Sequence, residues 1–155
     1  MFNIKLLKEE DMNRMLQSML RNNEELRCKL CGLITITDDN IFKLQNEENI
    51  SSVAGSKIKG FSKRYCYIGV TNNEILVTVL NNINISKINN LLRIPLDKIS
   101  VIEVNKCIMC KNVKVKIILR CNAVINLYVV SSTLLCGVLG QRTNSSEFFK
   151  ILSEL

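Results

Sequence analysis

A change of hydrophobic period limits the fold more than any other feature of this chain. From about Leu6 to Asn23, Met12, Met15, Leu16, Met19 and Leu20 recur at three- and four-residue spacing. That spacing places them on one face of a helix. Glu9, Glu10 and Asp11 fall in its first turn, where the helix dipole favours negative charge. From Leu26 onward the period is two. Leu26, Cys28, Leu30, Ile34 and Ile36 alternate with Arg27, Lys29, Thr35 and Thr37, which predicts a strand to about Thr37. Further strands are expected over residues 65–71, 74–81, 92–96, 99–105, 113–120 and 124–131. Asn72-Asn73 and Asn122 sit in tight turns, because Asn tolerates positive φ. Asp38-Asp39-Asn40 reads as a turn opening a polar loop to about residue 62, and a second polar loop spans Asn81 to Asn90. A last helix is expected from about Ser145 to Leu155, capped by Asn144, with Phe148, Ile151, Leu152 and Leu155 on one face.

The expected fold class is mainly β with flanking helices (α+β). Seven sequential antiparallel strands should curl into a barrel or sandwich, with an N-terminal amphipathic helix over residues 1–24 and a C-terminal capping helix. Residues 25–155 form the main domain, with the polar loop at about 38–62. Residues 121–141 carry no charge and are long enough to cross a membrane. Their amides and their alternation favour a strand instead.

Composition then removes chemistry. There is no His among 155 residues, so Ser-His-Asp and Cys-His nucleophiles and His-ligated metals are excluded. No phosphate loop is present, since Gly55-Ser-Lys57 lacks the second Gly of that motif. Seven Cys and no apolar leader at Met1–Lys8 point to a reducing, cytoplasmic setting. No catalytic residue and no cofactor are expected.

Several segments resemble the bacterial pleckstrin-homology (PH)-like domain family. Tyr67-Ile-Gly-Val-Thr-Asn-Asn-Glu-Ile-Leu-Val77 is similar to the family's hairpin. Arg93-Ile-Pro-Leu-Asp-Lys-Ile-Ser-Val-Ile-Glu-Val104 is similar to its aliphatic-Pro-Leu segment and the strand after it. Ser146-Glu-Phe-Phe-Lys-Ile-Leu152 is similar to its closing helix. The resemblance runs from about Leu26 to Leu155. It implies a PH-like fold and a binding scaffold without catalysis. The hairpin position that is often basic in such families is Glu74 here.

Three functional readings follow. The first is protein–protein interaction or self-association, the latter through the pliable Met face of Met12, Met15, Leu16 and Met19. The second is binding of an anionic phospholipid or phosphate headgroup. The resemblance implies such a site in the loop between the first two strands, where Lys57, Lys59, Lys63 and Arg64 lie. Lys114, Lys116 and Arg120 form a basic stripe on one strand face, within a stretch from Glu103 to Glu147 that holds no other acid. The net charge is +7. Nucleic acid is disfavoured because eight aromatics offer few stacking platforms. The third reading is a zinc or thiol-redox site at the two CxxC pairs, Cys28, Cys31, Cys107 and Cys110. Strand geometry opposes it, since residues three apart in a strand point to opposite faces.

Overall fold

In the computed structural model, residues 7–46, 60–106, 112–130 and 138–155 are described. Helix α1 (Glu9–Met19) is followed by strand β1 (Cys28–Ile36), helix α2 (Asp38–Gln45), strands β2 (Phe61–Val70), β3 (Glu74–Leu80) and β4 (Ile88–Pro95), and one 3-10 turn at Leu96–Lys98. Strands β5 (Ile99–Lys106), β6 (Asn112–Leu119) and β7 (Val124–Val130) and helix α3 (Gln141–Ser153) complete it. All seven strands form one antiparallel sheet in the order β4-β3-β2-β1-β7-β6-β5. The fold is mainly β with flanking helices, with the seven strands and the closing helix that the sequence predicts. No helix among the described residues is long and apolar enough to cross a membrane.

Alternation divides the sheet's side chains between two layers. Inward residues such as Leu30, Ile34, Ile68, Val77, Ile94, Val115, Ile117, Ile125 and Leu127 form the main core. Helix α3 contributes Phe148, Ile151 and Leu152 to it. The outward residues Cys31, Tyr67, Leu76 and Leu80 form a second layer with Leu7 and the α1 residues Met12, Met15, Leu16 and Met19. Gly69 lets the helix approach: a Cβ there would stand 2.8 Å from Leu26 Cδ2 and 3.3 Å from Leu16 Cδ2.

Several boundaries differ from the sequence reading, among them the start of β2 at Phe61 instead of residue 65 and the shorter α1. Residues 38–45 form α2 instead of a turn and polar loop. Asp38 and Asp39 in its first turn suit the helix dipole, and Ile41 and Leu44 bury into the main core. The rest of that loop, residues 47–59, lies outside the described residues. Strand β4 begins at Ile88 because its first residues pair with β3 despite their polarity. Helix α3 begins at Gln141, after Gly140 at φ 74°. The Gln141 amide exchanges two hydrogen bonds with the Cys31 backbone (3.0 and 2.9 Å), and Asn144 Oδ1 accepts from the Lys29 N–H at 3.1 Å. These side chains satisfy β1 where its pairing with β7, which begins at Gly32, gives out.

Candidate functional site

Residues opposite one another in antiparallel strands share a face. One row on the outer face reads Tyr65, Leu33, Tyr128, Lys114, Asn105 across β2, β1, β7, β6 and β5. The next reads Thr35, Asn126, Lys116, Glu103 across β1, β7, β6 and β5. Helix α1 covers the β1–β3 part of this face, and no described helix covers the β5–β7 part.

A distortion in β2 adds a charge to that open part. The β1–β2 register shifts between Ile34 and Ile36, and Lys63 has φ 20° in the same place. A bulge re-aims a side chain. Here the Lys63 N–H donates to Thr35 Oγ1 at 3.0 Å, and the ammonium lies 5.1 Å from the Tyr128 ring centroid. Lys114 Nζ lies 6.0 Å from the same centroid. The ring quadrupole attracts both cations, each contact being worth about 0.5–1 kcal/mol at an exposed site. Lys116 Nζ stands 3.5 Å from Glu103 Oε2, a half-exposed pair worth about 0–1 kcal/mol. Asn126 Oδ1 is buried and has no hydrogen-bond partner among the described residues.

The sequence-predicted basic residues are therefore only partly gathered. Lys63, Lys114 and Lys116 share the outer face. Arg64 stands opposite Ile34, on the inward register, so it does not join Lys63. Arg120 lies beyond the end of β6, in the turn closed by Asn122 at φ 66°. Lys57 and Lys59 lie outside the described residues. Tyr128, which organises the cluster, is a residue the sequence reading overlooked. Its outward parity in β7, facing the Lys parity of β6, was the available signal.

The Met face of α1 is buried against its own sheet, so it offers a second copy no exposed surface there. The cysteine pair also fails to converge. Cys28 joins the main core and Cys31 the α1 layer, on opposite sides of β1. Cys107 and Cys110 lie outside the described residues. Burial pushes the Cys28 thiol up to about 12, with Glu147 adding to it, and burial pushes Cys66 up as well. Neither is an available thiolate at neutral pH.

A second charged cluster serves the covered half. Arg93 on β4 is buried. Its guanidinium donates to Glu24 Oε1 and Oε2 at 2.8 and 2.9 Å, to Glu74 Oε2 at 2.8 Å and to the Met19 carbonyl at the end of α1. Burial opposes ionisation of Glu24, but the Arg21 N–H and the Arg93 guanidinium outweigh it and hold the carboxyl below the usual range. Glu74, the acid at the start of β3, is thus part of an ion cluster that ties α1 to the sheet.

No family model matches the chain, and no curated protein matches it. One solved structure that it is similar to is the Vps36 N-terminal PH domain, at 13% identity and a TM-score of 0.41. The similarity covers 87% of this chain and 86% of that one.

Proposed function

We propose that this chain is a non-enzymatic binding module that docks an acidic protein partner on the open outer face of β5–β7. One observation carries the reading: Lys63, placed by a backbone bulge, and Lys114, from a strand three places away in the sheet, meet over Tyr128. Strained backbone that gathers like charges has a cost and finds its reason in a ligand. The surroundings suit protein more than lipid. Half-buried Val124 and Ile118 and the Tyr128 ring mix with the cations, as at a protein interface. The headgroup site expected in the loop between the first two strands would use Lys63 and Arg64 together, and their registers oppose that. The absence of His and the raised thiols support a role without catalysis.

The test compares wild-type chain with Lys63→Glu/Lys114→Glu and with Lys87→Glu, an exposed charge on the β3–β4 loop. Each is used to capture proteins from a lysate and to sediment with vesicles of three parts phosphatidylcholine to one part phosphatidylserine. Acidic proteins held by wild type and by Lys87→Glu, lost from the double variant, with no vesicle binding, are expected. Vesicle sedimentation that the double variant abolishes would establish the headgroup reading instead.

A further inference from the structure

The sheet has two edges, and they are treated differently. At the β4 edge, Pro95 removes a donor and Arg93 sits buried with Glu24, Glu74 and the Met19 carbonyl. A charge buried under a covering helix and a Pro are devices that stop edge pairing. At the other edge, β5 pairs with β6 and with no other strand among the described residues. Its pairing from Val101 to Lys106 is regular, after a shift near Ile99. Six of its eight residues are exposed. They include aliphatics of opposite parity, Val101 at 45% and Val104 at 39% exposure. Apart from the β5–β6 ladder and the Ile99 N–H, which donates to the Leu96 carbonyl, its backbone groups have no backbone partner among the described residues. An exposed strand with apolar side chains on both faces is a template for one more strand.

We infer that β5 accepts an extended, acidic segment of another protein as an eighth strand. Charge selects that occupant over a second copy. Lys98, Lys106, Lys114, Lys116 and Arg120 lie on β5, β6 and their turns, against Asp97 and Glu103 as the acids. Glu103 is already engaged by Lys116. Two copies of this surface repel, while a segment alternating aliphatic with acidic residues meets Val104 with its apolar positions on one face and Lys114 and Lys116 with its acids on the other. Main-chain bonds supply affinity in such additions, and the alternating side chains supply specificity. The inference rests on the docking face proposed above and adds a backbone mode to it.

The experiment selects random decapeptides displayed against the intact chain, then follows backbone amide exchange with a selected peptide bound. Selection of acid-rich alternating sequences that slow exchange in β5 is expected. N-methylation of alternate peptide residues, which keeps every charge, should weaken binding by about tenfold or more. Full binding by the N-methylated peptide, with slowed exchange confined to the surroundings of Lys63 and Tyr128, overturns strand addition and leaves the docking face standing. Binding insensitive to Lys63→Glu/Lys114→Glu but lost on N-methylation overturns the face and leaves the edge. Selection of no acid-rich peptide overturns both. Concentration-dependent dimerisation that protects β5 without peptide replaces the partner with a second copy.

Discussion

Strands β3 and β6 lie in one sheet but answer to different solvents. Every β3 residue after Glu74 is buried, Ile75, Val77 and Val79 in the main core and Leu76, Thr78 and Leu80 under or beside α1. Strand β6 alternates strictly, with Val113, Val115, Ile117 and Leu119 buried and Lys114, Lys116 and Ile118 half-exposed. A strand covered on both faces reads as a continuous aliphatic run, and one covered on a single face alternates. The difference shows where the chain places stability and where it leaves surface for contact. Helix α1 turns half of the outer face into core, and no described helix covers the other half around Tyr128.

The largest expected effect is on the covered half. Arg93→Ala leaves Glu24 and Glu74 facing each other and the Met19 carbonyl unpaired, which should cost about 3–5 kcal/mol in denaturant unfolding. A loss under about 1 kcal/mol would detach this cluster from the anchoring of α1. Replacing all three charges together (Arg93→Met, Glu24→Gln, Glu74→Gln) should cost much less than Arg93→Ala, since no charge is then stranded. The same cluster predicts a pH dependence. The Glu24 carboxyl is held low in the folded chain, so its contribution is full above the unfolded value and disappears as pH falls through the folded value. Denaturation between pH 5 and pH 3 should therefore be less steep for Glu24→Gln than for wild type.

Paired truncations then test the asymmetry itself. Leu16→Ala empties a fully buried position under α1 and should cost about 2–5 kcal/mol. Ile118→Ala, on the open half, should change stability by about 0.5 kcal/mol. Similar losses in thermal denaturation would mean that both halves are core. A smaller effect belongs to the seam between them. A Cβ on Gly32 would stand 2.6 Å from the Tyr128 carbonyl oxygen, where β1 meets β7. Gly32→Ala should cost about 1–3 kcal/mol and speed amide exchange in β7 more than in β3. Equal acceleration in both strands would argue against a seam.

The elements were readable wherever one face met water. Lys114 and Lys116 between buried valines and isoleucine made β6 plain, and the Met12-Met15-Leu16-Met19 spacing made α1 plain. Helix α2 was hidden because Asp38-Asp39-Asn40 has turn chemistry and only Ile41 and Leu44 mark its buried side. The start of α3 was hidden because Asn144 looked like a cap, while its side chain serves the Lys29 amide across the fold. The Arg93 cluster joins residues 19 and 69 positions apart, beyond any local pattern. Of the candidate site, the outward lysines of β6 were visible in the alternation. The Lys63 contribution depends on a bulge, and pairing geometry of that kind does not appear in residue order.

The most direct test of this division measures stability and binding on one variant. For Lys63→Glu/Lys114→Glu, the account predicts that affinity for the display-selected acidic peptides falls about tenfold or more while Tm stays within about 2 °C of wild type. Affinity retained by this variant, or affinity and Tm falling together as they should for Leu16→Ala, would contradict a binding face separate from the core.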